Sequence, residues 1–261
     1  MKLKNWVASV LAAAAVLAAG QASAVPVGLE LMLLVDVSGS VDATEYTLQK
    51  TGYINAFNSA AVQNAILASQ GGAIAVTYIE WSGPTEQSTR VPFTLINSVA
   101  SAQAFATALN GIGARAFNGN TAIQDAIGKS FSAFGTEAGG AANGFESPRQ
   151  VIDVSGDGAD NASTTFGASG GGRDAAIAAG VDTINGIAIL GEGGLLTYYQ
   201  TFVQGGAGGF VSTAADFTTF GTAIEAKLIK EVSQVPGPAS LVLVGLGLLV
   251  AGAVRRRMRK R

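Results

Sequence analysis

The feature that most constrains the fold is a near-continuous apolar run, Leu29 to Val35, followed directly by Asp36-Val37-Ser38-Gly39-Ser40. A strand exposed on one face alternates apolar and polar residues, whereas a strand covered on both faces reads as an unbroken apolar stretch. The run therefore predicts a buried parallel strand whose end opens into a polar loop. Further strands are expected at Ala73–Trp81, Arg90–Ile96, Gln150–Val154, Thr183–Ile189 and Gly209–Ser212. Between them, helical spacing covers Val99–Leu109, Ala122–Phe134, Arg173–Ala179, Tyr198–Val203 and Ala214–Glu231. Asp42 with Glu45 three residues on reads as a capping box for a helix from Ala43 to about Ala68. The short link Ser82–Thr89 predicts a hairpin, so Arg90–Ile96 is expected to be an antiparallel edge strand. The fold class that follows is α/β: a doubly wound, mostly parallel sheet with helices on both faces and one antiparallel edge strand. The Gly/Ala-rich stretches Gly135–Gly144 and Gly167–Gly172 read as loops.

Both ends of the chain have another pattern. Lys2 and Lys4 precede an apolar run from Trp6 to Ala19, and Ala22-Ser23-Ala24 supplies small residues for cleavage, so residues 1–24 read as a signal peptide. A 25–232 domain follows, then a 233–238 linker with Pro236-Gly237-Pro238, an apolar transmembrane segment at 239–254 and a basic tail at 255–261. A 16-residue helix spans roughly 24 Å, slightly less than a bilayer core, and snorkelling arginines can cover the difference. The tail should stay cytoplasmic, which leaves the domain on the other side. This end resembles the PEP-CTERM sorting signals of Gram-negative bacteria, although Gly237 stands where that family usually has Glu. The resemblance implies export, anchoring in the inner membrane facing the periplasm, and release to the envelope surface or matrix after processing. A plain tail anchor is the alternative.

The chain has no Cys and no His, so thiolate or imidazole metal sites, disulfides and His-based catalysis are excluded. Any metal must be held by oxygen. Residues 25–254 hold all 18 acids and eight of the 16 bases, a balance of −10 that argues against nucleic acid as a partner.

Three segments carry candidate chemistry. Asp36-Val37-Ser38-Gly39-Ser40 follows the first buried strand, Asn118-Gly119-Asn120-Thr121 precedes a helix, and Ser155-Gly156-Asp157-Gly158 follows the Gln150–Val154 strand. In a doubly wound sheet, strand ends share one edge, and ligands bind where the strand order reverses. Two carboxylates and three hydroxyls suit a hard cation such as Mg²⁺. Read singly, each segment has a plain explanation: a turn with a helix cap around Asp36, an N-cap at Thr121, an Asx-turn at Asp157. Asp153, inside an apolar strand, is expected to be held by a structural hydrogen bond, and Trp81 to pack in the core.

Together the three segments resemble the metal-ion-dependent adhesion site (MIDAS) of von Willebrand factor A (VWA) domains, and the DVSGSVD and IDVSGDG wording is similar to a bacterial subfamily of them. The resemblance covers about residues 28–232. It implies a Rossmann-like VWA fold and a site for Mg²⁺ or Mn²⁺. Ser38, Ser40 and Thr121 would contact the metal directly, and Asp36 and Asp157 mostly through water. It also implies a protein partner that presents Asp or Glu to the metal. An enzyme of the metal-assisted phosphatase class is the main alternative. Such sites usually add a second Asp two residues on and a Lys, but here Ser38 holds that position and the loops contain no Lys. A passive envelope or matrix component with a structural metal is the third reading.

Overall fold

The computed structural model describes residues 23–234. Most of the stretch expected to be a signal peptide, the segment expected to be transmembrane at 239–254 and the basic tail lie outside the described residues. Among the described residues no helix is long and apolar enough to cross a membrane.

In chain order the elements are β1 (Val25–Pro26), β2 (Leu29–Asp36), α1 (Ala43–Asn58), α2 (Ala60–Ala68), β3 (Ile74–Trp81), β4 (Gln87–Ile96), α3 (Val99–Asn110), α4 (Ile123–Ser130), β5 (Phe145–Glu146), β6 (Gln150–Gly156), α5 (Gly171–Ala179), β7 (Thr183–Ile189), α6 (Leu195–Tyr198), β8 (Gly205–Gly206), β9 (Val211–Ala214) and α7 (Phe217–Ser233). The main sheet runs β4-β3-β2-β6-β7-β8, with β9 also paired to β7. β2 lies between β3 and β6, and both pairings are parallel. From β2 the chain builds outward to β3 and β4, then crosses over to β6 on the other side. The crevice where β2 and β6 end is therefore the point at which the winding reverses.

The apolar run of β2 divides between two cores because successive side chains point to opposite faces. Leu31, Leu33 and Val35 pack with Tyr53, Phe57, Phe105 and Phe220 under α1, α3 and α7. Met32 and Leu34 pack with Ile123, Ile127, Ile152 and Tyr199 on the other face. Every residue of β2, β3, β6 and β7 is buried, which accounts for unbroken apolar strands in the sequence.

Several expectations need correction. The helix expected from Ala43 to about Ala68 is two helices, because Ser59 turns extended (φ −73°, ψ 140°) and its hydroxyl accepts from Val62 N to cap a new helix. The sheet has two antiparallel strands, not one. β4 pairs antiparallel with β3 as expected, and β8 pairs antiparallel with β7 at the opposite side, where Gly206 takes a φ of +75°. α4 stops at Ser130 and passes into a 3₁₀ segment, Phe131–Ala138, through part of the stretch read as loop. The segment expected as a helix at Tyr198–Val203 is a π turn, Tyr199–Val203, after the short α6.

The strand starts form the pole opposite the crevice. β1 pairs with β5 there, and Arg149, just before β6, donates to the carbonyl oxygens of Glu231 and Gln234.

Candidate functional site

Asp36 is the last residue of β2, and the chain turns immediately afterwards. Val37 N donates to Trp81 O (2.9 Å) and Gly39 N to Gly119 O (2.8 Å), so the loop is tied to β3 and to the Asn118–Thr121 segment. Arg115 donates to Ser38 O (3.1 Å) and also to Val41 O. The predicted capping box is present: Asp42 accepts from Thr44 N and Glu45 N, and Glu45 accepts from Asp42 N.

All five predicted residues converge at this crevice. Thr121 Oγ1 lies 3.3 Å from Ser38 Oγ, Ser38 Oγ lies 3.1 Å from Ser40 Oγ, and Ser40 Oγ donates to Asp157 Oδ1 at 2.7 Å. Beneath them, Asp36 Oδ1 accepts from Ser38 N at 2.7 Å. Asp36, Ser38 and Thr121 are buried, Asp157 is half-buried and Ser40 is exposed, so the oxygens rise from the sheet edge to solvent.

The plain alternatives can now be weighed. Thr121 is not the cap of α4. Ala122 holds that position without a side-chain bond, and Asp160 Oδ2 accepts from Gln124 N instead. Asp157 turns its carboxyl toward Ser40. Asp36 does make the turn bond to Ser38, but only with one oxygen. Its Oδ2 is buried and has no hydrogen-bond partner. Burial, and secondarily the charge of Asp157, pushes the Asp36 carboxyl up to about 7 against the bonds from Ser38. Asp157 is raised as well, mainly by burial, with the charges of Glu45 and Glu192 adding to it.

Sequence reasoning missed several neighbours. Glu192, on the loop after β7, accepts from Ala159 N at 2.8 Å beside Asp157. Asp125 anchors the loop after the site by accepting from Thr164, Thr165 and Phe166 backbone N–H groups, which hold its carboxyl below the usual range against the opposing effect of burial. Tyr199 lies under Asp36. None of these had a motif, because each reaches the site only through tertiary packing. Trp81 is wholly buried in the core, as expected. Asp153 forms an ion pair with Lys227 (2.5 Å) in place of the expected hydrogen bond.

The donor set is oxygen only. Among the described residues no group of three or more His, Cys, Asp or Glu is arranged to hold a metal, so any ion here must use hydroxyls beside the two carboxylates. An unpartnered buried carboxylate oxygen below three converging hydroxyls fits a hard divalent cation.

With a central, mostly parallel sheet, helices on both faces and this crevice, the chain has a VWA-type fold. Solved structures sharing it include proximal thread matrix protein 1 (PTMP1) from the mussel byssus with a zinc-occupied MIDAS motif, at 16% identity and a TM-score of 0.55, covering 81% of this chain and 50% of that one. The pilus adhesin SpaC from Lactobacillus rhamnosus GG in its open conformation is 17% identical with a TM-score of 0.55, covering 79% of this chain and 30% of that one. A von Willebrand factor type A protein from Catenulispora acidiphila is 15% identical with a TM-score of 0.50, covering 79% and 42%. This chain thus spans half or less of each of these proteins. A comparison with curated proteins gives no match. The chain belongs to the family described as "Protein of unknown function (DUF1194)", whose family model matches residues 26–236.

Proposed function

We propose that this domain is a divalent-cation-dependent binding module, and that it binds a carboxylate of a protein partner through the ion without catalysing a reaction. The observation that carries this reading is Asp36: a buried carboxylate with a free oxygen and, among the described residues, no Lys or Arg paired with it or with Asp157. Buried charges are normally paired or bound to metal. In this reading Ser38, Ser40 and Thr121 hold Mg²⁺ or Mn²⁺ directly, and Asp36 and Asp157 balance its charge, mostly through water. The zinc-occupied MIDAS motif of the mussel protein supports a metal in a fold of this type. When bound, the ion supplies a Lewis-acidic position open to an Asp or Glu oxygen. The chain's own residues set the ligand geometry and keep the lower half of the site dry.

Isothermal calorimetry of the purified full chain with Mn²⁺ tests the reading. One site that Asp36→Ala and Asp157→Ala both abolish is expected, and unchanged binding in both variants sinks it. Pull-downs with and without EDTA then test the partner. We further propose that the domain is exported, held at the inner membrane facing the periplasm by residues 239–254, and released to the envelope surface or matrix by cleavage near Pro236–Pro238. Mass spectrometry of the protein from its host separates release from permanent anchoring, because an intact Arg261 terminus found only in membranes means an anchor.

A further inference from the structure

The ring of Tyr199 occupies space that two glycines leave open. A Cβ on Gly186, in β7, would lie 2.6 Å from Tyr199 Cδ1. A Cβ on Gly156, at the end of β6, would lie 2.8 Å from the Tyr199 hydroxyl oxygen and 2.7 Å from Asp36 Oδ2. Glycine weakens a strand interior and commonly marks a close approach. Here the two glycines of neighbouring strands admit one phenol, and its hydroxyl and the free oxygen of Asp36 both border the space beside Gly156.

Both oxygens are wholly buried and neither has a hydrogen-bond partner. A buried hydroxyl with no partner is costly, so a residue serving only to fill this space would be better as Phe. A phenol carries a proton it can donate, and a carboxylate oxygen accepts. The residue also opens a π turn, Tyr199–Val203, a local irregularity that recurs at functional sites.

We infer that Tyr199 is a positioning residue of the cation site: when the ion is bound, its hydroxyl donates across this gap to Asp36 Oδ2 and fixes the carboxylate in the orientation that binding requires. The inference rests on the metal reading above. Partners of this kind around a ligating carboxylate typically affect metal affinity tenfold to a hundredfold.

The test is Tyr199→Phe in the full chain, with Mn²⁺ affinity measured by calorimetry and thermal unfolding measured in EDTA. The expected result is a split: Mn²⁺ binding weaker by about tenfold or more, with metal-free Tm unchanged or higher. Tyr198→Phe is the control, because the Tyr198 hydroxyl donates to Ala168 O (2.7 Å), away from Asp36, and should leave affinity unchanged. Unchanged Mn²⁺ affinity in Tyr199→Phe overturns the inference and reduces the ring to a filler. If that variant does not fold, Tyr199→Leu removes the same hydroxyl without touching Asp36 or Gly156. Weaker binding then supports the inference, and unchanged binding overturns it. A wild-type chain that binds no Mn²⁺ removes the metal reading and this inference together, an outcome distinct from a loss of effect at Tyr199 alone.

Discussion

Two buried aspartates on adjacent strands meet opposite circumstances. Asp153, in the middle of β6, has Lys227 of α7 2.5 Å away, and Lys227 in turn pairs with Glu231, which accepts from Asn185 at 2.8 Å. Asp36, at the end of β2, has no such cation. Glu80, buried in β3, follows the first pattern with Arg90. At Asp153 and Glu80 the chain supplies the counter-charge itself. At the crevice it supplies hydroxyls and leaves the charge unbalanced. The difference separates an internal brace from a candidate site whose charge the fold leaves unmatched.

The comparison can be broken most sharply from the internal side. Lys227→Met leaves Asp153 enclosed without a cation and Glu231 without its paired one, and should cost about 3–5 kcal/mol in urea unfolding. Mn²⁺ affinity of the folded protein should stay within about twofold, since sites without shared partners behave independently. A large loss of affinity would mean that the two regions are one network.

The external side is next. Mn²⁺ at a hundred times its Kd should stabilise the wild type by about 2.7 kcal/mol, and Asp36→Asn should abolish that gain while leaving the EDTA-treated domain at least as stable as wild type. An Asp36→Asn chain that is destabilised in EDTA would show that the carboxylate is already satisfied within the fold.

A pH series sharpens the contrast. Burial, with the charge of Asp153, raises Glu231 to about 7 despite Lys227 and Asn185, and Arg149 also faces it. A group raised in the folded state contributes stability that is present in full below its unfolded value, 4.5, and is lost as pH rises through about 7. Wild-type stability should therefore fall across that window, by at most about 1.4 kcal/mol per pH unit from this one proton. Burial raises Asp36 and Glu30 to about 7 as well, so Glu231→Gln should lessen the fall without removing it, and an unchanged slope would place the titration elsewhere. The smallest effect belongs to Ser40→Ala. The residue is exposed, so unfolding should move by less than about 0.5 kcal/mol, while calorimetry should show weaker Mn²⁺ binding.

The strands were legible because burial on both faces leaves an unbroken apolar signature, and Thr183–Ile189 is found as read. The five candidate oxygens were legible because each sits at an element end where sequence neighbours fix its position. The Lys227 brace was not: a lysine near the end of an amphipathic helix looks solvated until packing against β6 shows otherwise. The break at Ser59 was hidden because an apolar period continues through it, and one hydroxyl capping Val62 N decides the outcome. Tyr199 was invisible for a different reason, since its place depends on two glycines in other strands.

The two poles of the sheet also have a mechanical consequence. Val25 and Gln234, the latter held by Arg149, lie at the strand-start pole, and the crevice lies at the strand-end pole. If a partner binds at the crevice as proposed, a pull between it and Val25 or Gln234 would be directed along β2. That strand is bonded on both sides to parallel neighbours, β3 and β6, whose evenly spaced bonds are loaded in shear together and not peeled one at a time. Tension applied in that direction would be carried by the buried centre of the sheet.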